Sequence, residues 1–104
     1  MNDIELIMVF TDCDDFETAK EYIGGNTGYR CILFDNVYYA KLDNPGNDMV
    51  IHFISDEFGK SMKKPYKAVL FLGNDVIERY SIGLSSEDET NKIYSADWIR
   101  QMFH

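Results

Sequence analysis

The sequence has little cysteine, proline, histidine or tryptophan, with two residues each of the first three and one tryptophan. Cys13 and Cys31 are too few for the disulfide scaffold of a small secreted domain, and they do not form a Cys-x-x-Cys pair. A Cys/His zinc site would need both of them together with His52 and the terminal His104. The sequence therefore predicts two free thiols, no metal and no cofactor.

Long apolar runs and an N-terminal basic segment are also missing. No apolar run approaches the roughly 18 residues that a membrane-spanning helix needs. Signal peptides begin with basic residues, whereas this chain begins Met-Asn-Asp-Ile-Glu. We therefore expect a cytoplasmic protein that does not contact a membrane.

Basic residues are scarce beside acidic ones, ten against 18, which gives a net charge of −8. This charge opposes direct contact with nucleic-acid phosphates and favours a basic protein partner. Residues 1–23 alone hold seven acids and one base, so the start of the chain is strongly acidic. The basic segment, defined as Lys60, Lys63, Lys64 and Lys67, is expected to face away from any surface that binds a basic partner.

What the chain does contain is enough material for one hydrophobic core. Hydrophobic residues make up 45% of the sequence and aromatic residues 14%, which argues against disorder. A chain of 104 residues suits a single core and is too short for two ordinary domains. We therefore expect one domain over residues 1–104.

The first half of the chain alternates between strand and helix patterns. The apolar, β-branched run Ile4–Phe10 predicts a buried strand, and the acidic start of the next segment with a 3–4 residue apolar spacing predicts a helix. Two β-rich segments, Arg30–Phe34 and Val37–Leu42, flank Asp35-Asn36, a pair that tolerates the positive φ values of a tight hairpin turn. Met49–Ile54 is expected to add a third strand to this meander, with His52 inside it.

The second half predicts a helix, a hairpin and a final helix. Ser55 can cap a helix that runs to about Lys63, and Ser95 can cap the last one. Between them, Tyr66–Leu72 and Val76–Ile82 flank a Gly-Asn-Asp turn. The predicted class is α+β with the order βαβββαββα. Its sheet is mixed and mostly antiparallel, with about five to six strands and two to three helices on one face.

The run Ile7–Asp14 places two aspartates in D-x-D spacing directly after the first strand. This run resembles the first motif of haloacid-dehalogenase-like phosphatases. By that resemblance Asp12 would attack phosphorus, Asp14 would act as acid or base, and both would help to hold magnesium. We favour the alternative that one of these carboxylates caps the first helix and complements its dipole.

Cys13 lies at the predicted start of the first helix, and Pro65 precedes a predicted hairpin and a last helix. This arrangement is similar to that of thioredoxin-like proteins. The resemblance implies a thioredoxin-like fold and a thiol oxidoreductase that uses Cys13, since a helix N-terminus stabilises a thiolate. The neighbouring acids Asp12, Asp14 and Asp15 oppose that activity because they repel a thiolate.

The leading functional hypothesis is a small acidic inhibitor of the immunity-protein or phage type. Like a DNA mimic, it would bind a basic nucleic-acid-binding protein or a nuclease. Such a protein needs no catalytic centre and is attracted electrostatically to its target. A third hypothesis is a housekeeping subunit whose acidity keeps it soluble.

The sequence leaves the oligomeric state open. The predicted partner-binding residues are Asp12, Asp14, Asp15, Glu17, Glu87, Asp88 and Glu89.

Overall fold

A five-stranded antiparallel sheet forms the centre of the molecule in the computed structural model, which describes residues 4–23, 28–80 and 95–103. The strands are β1 (Ile4–Phe10), β2 (Tyr29–Phe34), β3 (Val37–Asp43), β4 (Tyr66–Leu72) and β5 (Asp75–Tyr80). The helices are α1 (Cys13–Ile23), α2 (Asn47–Phe53), α3 (Asp56–Ser61) and α4 (Ala96–Gln101). The predicted α+β class and antiparallel pairing are confirmed.

The strand order in the sheet is β2-β3-β1-β4-β5, and every neighbouring pair is antiparallel. β1 lies at the centre, between β3 and β4. From β1 to β4 the connectivity is the βαββαβ arrangement of ferredoxin-like folds, with α2 and α3 together in the place of the second helix. β5 and α4 extend that arrangement at its C-terminal end.

The thioredoxin-like alternative is wrong for this sheet. In a thioredoxin-like fold, the strand that follows the first helix lies beside the first strand and runs parallel to it. Here β3 occupies that position and runs antiparallel to β1, so β2 is displaced to the edge of the sheet. The insertion of β3 divides the β-α-β unit.

Both tight hairpin turns have the backbone geometry that their sequences favour. Asp35 and Asn36 have φ values of 54° and 62°, as the two-residue turn between β2 and β3 requires. Gly73 has a φ of 63° in the turn between β4 and β5. The predicted hairpins are therefore confirmed.

The predicted strand Met49–Ile54 is wrong, because this segment forms α2. Met49 and Phe53 are four residues apart and both insert into the core, while Ile51 between them is 65% exposed. That burial follows a helical spacing, since a strand would place these three side chains on one face. β3 already pairs with β1 and β2, so a further strand of the meander would have no edge of β3 to join.

The two sheet faces are both covered, whereas the sequence predicted helices on one face only. On the helix face, side chains such as Leu6 and Phe10 pack against α1, α2 and α3. On the opposite side, the α4 face, Ile7 packs with Ile99 and Phe103 from α4 and the turn after it. The sequence of β1 agrees with this result, because residues 6–10 are a continuous buried apolar run, which is typical of a strand covered on both faces.

Candidate protein-binding surface

The exposed side of α1 carries a row of three acidic residues. Asp14, Glu17 and Glu21 are separated by three and four positions, which places them on one side of a helix, and all three are exposed. We call these three residues the acidic ridge. Asp14 and Glu17 were predicted as partner-binding residues. Glu21 was missed, although its spacing from Glu17 was visible in the sequence.

Asp12 and Asp15, also predicted as partner-binding residues, each accept a hydrogen bond from a backbone N–H of the chain. Asp12 Oδ1 accepts a hydrogen bond from the Asp14 N–H at 2.7 Å, so this carboxylate caps the start of α1. Asp15 is buried, and its Oδ2 accepts a hydrogen bond from the Lys64 N–H at 3.1 Å. The favoured capping interpretation is confirmed for Asp12. The other three predicted residues, Glu87, Asp88 and Glu89, lie outside the described residues.

The basic segment does not form one exposed unit away from α1. The Asp15–Lys64 hydrogen bond places the backbone of Lys64 beside the start of α1. Lys67 lies on β4, is almost fully buried, and its Nζ is 2.8 Å from Glu78 Oε1. Lys67 is therefore buried rather than exposed. The expectation that the basic segment faces away from a surface that binds a basic partner stays a prediction.

A cleft of about 800 Å³ begins at the C-terminal half of α1. Glu21 and Tyr22 line it from α1, and Asn44, Asp48 and Met49 line it from the loop before α2 and from α2 itself. Glu21 and Asp48 are both exposed. The cleft therefore has two carboxylates and an aromatic ring in its lining.

A second cleft, of about 450 Å³, adjoins the first because Glu21 and Tyr22 line both. Here the Tyr22 ring stacks on His52, with ring centroids 4.1 Å apart and an interplanar angle of 18°. Partial burial lowers the pKa of His52 below its ordinary value, which favours the uncharged form of the ring. The second cleft thus offers an uncharged aromatic surface beside a carboxylate.

This aromatic surface is the exposed end of an aromatic cluster in the core. His52 contacts Phe58 at 4.8 Å between centroids, and Phe58 contacts Tyr66 at 5.0 Å. The Tyr66 hydroxyl donates a hydrogen bond to the Phe53 carbonyl at 3.2 Å, which satisfies this buried group. The rings of both clefts are therefore held by packing against the sheet.

Charged residues on the α4 face form ion pairs between elements. Glu5 is held by Lys41 Nζ at 2.6 Å and by Arg100 Nη2 at 2.5 Å. The Arg100 guanidinium also lies over the Phe71 ring, 4.6 Å from its centroid. These groups bind one another across β1, β3 and α4, so we assign them a structural role.

The two cysteines lie on different elements and are both exposed free thiols. Cys13 is the first residue of α1, and Thr11 Oγ1 donates a hydrogen bond to the Pro65 carbonyl nearby, at 3.2 Å. Phe16 occupies the position of a second cysteine in Cys-x-x-Cys and is buried in the core. α1 therefore holds no second cysteine that could form a disulfide with Cys13. The alternative that the protein is an oxidoreductase using Cys13 stays a prediction.

Among residues 4–23, 28–80 and 95–103, no group of three or more His, Cys, Asp or Glu side chains is arranged to hold a metal ion. No helix in the same ranges is long and apolar enough to cross a membrane. Comparison of the chain with protein-family models, with curated proteins and with solved structures found no match. The case for a function therefore depends on the two clefts and the acidic ridge.

Proposed function

We propose that this protein binds a basic protein partner, such as a nuclease or another nucleic-acid-binding protein, and blocks its basic surface. The observation that carries this proposal is the first cleft, where Glu21, Asp48 and the Tyr22 ring line one depression. Carboxylates attract an arginine or lysine head group, and an aromatic face adds a cation–π contact. The cleft would receive one such side chain as an anchor.

The acidic ridge supports this proposal by extending negative charge from the cleft along α1. Asp14 and Glu17 lie on the same side of the helix as Glu21, so a basic surface that lay over α1 would meet all three carboxylates. Glu17 is partly compensated by Lys20, whose Nζ lies 3.4 Å from Glu17 Oε1. We therefore expect Glu21 and Asp48 to contribute more to affinity than Glu17.

The proposed setting is the cytoplasm. Cys13 and Cys31 are exposed free thiols, which suits a reducing compartment. This part of the proposal is checked by localising the tagged protein in its source cell. Recovery from an oxidising compartment would contradict it.

The test uses a short peptide in which one arginine is flanked by alanines, with its citrulline counterpart as the uncharged control. In an NMR titration, the arginine peptide should shift the amide signals of Tyr22 and Asp48 at low salt, and the citrulline peptide should not. The expected binding is weak, because a single anchor makes few contacts. Absence of any shift at the clefts would contradict the proposal.

A matched pair of double variants separates the cleft from net charge. Glu21→Gln with Asp48→Asn removes two exposed carboxylates from the cleft, and Asp56→Asn with Glu57→Gln removes two exposed carboxylates from α3. The first pair should weaken binding to a captured basic partner at least about tenfold, and the second less than about threefold. Equal losses would show that only net charge matters, and would reject the cleft as the site.

A further inference from the structure

β2 is an edge strand, and among the described residues no strand pairs with its outer side. It is six residues long, with register to β3 maintained at every position from Tyr29 to Phe34 and therefore without a bulge. Leu33 is 59% exposed on this strand, and Cys31 is exposed beside it. An edge of this kind is a template for pairing with another strand.

The hydrogen-bond pattern of the hairpin shows which backbone groups of β2 point outward. The Asp43 N–H donates to the Gly28 carbonyl at 3.2 Å, so Gly28 and Asp43 are a hydrogen-bonded pair. In an antiparallel ladder such pairs alternate with pairs that are not hydrogen-bonded. The even-numbered residues of β2 therefore bond to β3, and Tyr29, Cys31 and Leu33 direct their N–H and C=O groups away from the sheet.

The opposite edge strand differs in composition. β5 holds three charged residues among its six, Asp75, Glu78 and Arg79, whereas β2 holds only Arg30. Arg30 is engaged within its own chain, since it donates to the Phe103 carbonyl at 3.0 Å. Charged side chains are a common protection of sheet edges, so β2 is the less protected of the two.

We propose that β2 is a self-association surface, where two copies of this chain pair antiparallel about a two-fold axis at Cys31. In this register Cys31 pairs with the same residue of the second copy, and Tyr29 pairs with its Leu33. All three outward-facing residues then form hydrogen-bonded pairs. A register centred on Ile32 would instead pair Tyr29 with Asp35, which has the left-handed φ of a turn residue and cannot continue a strand.

The charge distribution favours a second copy at this edge. The chain carries a net charge of −8, so two copies repel each other over most of their surfaces. Residues 29–34 contain no acid and one base, which lets two copies approach here without opposing carboxylates. Leu33, exposed in the monomer, would be covered by Tyr29 of the partner copy. The interface is small, so we expect a weak dimer that depends on concentration.

Sedimentation velocity of the full chain measures this association directly. From about 10 µM to about 1 mM, the range of weak protein interfaces, the sedimentation coefficient should rise toward that of a dimer. Added salt should strengthen the dimer, because it screens the repulsion between two acidic chains. Added salt should weaken the binding of a basic partner, because it screens the attraction between opposite charges. The two proposals therefore predict opposite effects of salt and can fail independently. A monomer at every concentration and salt would overturn the inference.

Amide hydrogen exchange by NMR tests the register without a substitution. The Tyr29, Cys31 and Leu33 amides should exchange more slowly as protein concentration rises, because dimerisation gives them hydrogen-bond acceptors. The outward amide of Val76, on the other edge strand, should not change. Equal slowing at both edges, or none at β2, would contradict pairing through β2.

Leu33→Lys and Val76→Lys form a matched pair of variants. Each residue lies on an edge strand and is the second strand residue from a two-residue hairpin turn. Both side chains are exposed, at 59% and 45%. Leu33→Lys should weaken the dimer at least about tenfold, and Val76→Lys less than about threefold. Circular dichroism confirms that both variants are folded. A dimer that survives Leu33→Lys would reject the interface.

Oxidation with diamide then checks the two-fold axis, since diamide accepts two electrons and two protons as two thiols form a disulfide. A hydrogen-bonded antiparallel pair has a Cα–Cα distance near 5.5 Å, within the range of disulfides. Cys13→Ser should form a covalent dimer through Cys31, and Cys31→Ser should form it at least about tenfold more slowly. Similar rates for the two variants would contradict the proposed axis.

Discussion

The two faces of the sheet are buried by different chemistry. The helix face packs aromatic and aliphatic side chains against three helices, including Phe10, Phe53 and Tyr66. Within the part of the chain that the structure describes, the α4 face is covered by one short helix, and it buries Lys41 and Lys67 together with apolar residues. Lysine stems can fill space beside apolar side chains while their head groups reach a carboxylate. The helix face thus depends on packing, whereas the α4 face also depends on specific ion pairs.

The largest expected effect tests packing on the helix face. Phe53→Ala should lower the free energy of unfolding by about 3–5 kcal/mol, because Phe53 is fully buried and its removal leaves a cavity. Ile51→Ala on the same helix is the control, and it should cost less than about 0.5 kcal/mol since Ile51 is mostly exposed. Urea unfolding measures both values. Similar costs would show that the described packing of α2 is wrong.

The next effect tests ion pairing on the α4 face. Glu5→Gln should cost about 3 kcal/mol, because buried Lys41 loses the carboxylate that compensates its charge. Glu78→Gln should cost less, about 1 kcal/mol, since the Glu78 side chain is 34% exposed and solvent therefore screens its charge. Urea unfolding of the two variants decides the order. A larger cost for Glu78→Gln would contradict the comparison.

The two faces should also differ in how the free energy of unfolding depends on pH, because the ion pair of Glu5 lies on the α4 face. Burial raises the pKa of Glu5, but hydrogen bonds and charges from Lys41 and Arg100 outweigh burial and lower it below the ordinary value of 4.5. A carboxyl whose pKa is lower in the folded state stabilises the fold above its unfolded pKa, and this contribution is lost as pH falls through the folded pKa.

The wild-type protein should therefore lose stability below about pH 4.5 more steeply than Glu5→Gln does. Urea unfolding at a series of pH values gives both slopes. Phe53→Ala is the control from the helix face, because it lowers stability without changing a titrating group. Identical acid slopes for wild type and Glu5→Gln would show that Glu5 titrates normally.

Effects smaller than that of Glu5→Gln are expected at the two helix caps, one on each face. Ser55 Oγ accepts from the Phe58 N–H at 3.1 Å and also donates to the His52 carbonyl at 2.7 Å, whereas Ser95 Oγ accepts only from the Trp98 N–H, at 3.2 Å, among the described residues. Ser55→Ala should cost about 1–2 kcal/mol and Ser95→Ala about 0.5–1 kcal/mol. Thermal unfolding resolves this difference, and the reverse order would contradict it.

Only part of the candidate site could be predicted from the sequence. The acidic start of α1 was visible as charge, so Asp14 and Glu17 were among the predicted partner-binding residues. The two clefts were missed because Asp48 lines the first and His52 lines the second when their segment is a helix, whereas a short run of β-branched residues favours a strand. The burial of Asp15 and its hydrogen bond to the Lys64 N–H were not visible in the sequence, because the two residues are far apart along the chain.

The sequence by itself determined the local features of this protein. The turn at Asp35-Asn36 and the caps at Ser55 and Ser95 follow from interactions within four residues, so neighbouring side chains and backbone preferences were sufficient. Tertiary structure decided the insertion of β3 beside β1, the helical form of α2 and the burial of Lys67. Each of these depends on which edge, core space or carboxylate is available after distant segments have packed, and the local sequence does not contain that information.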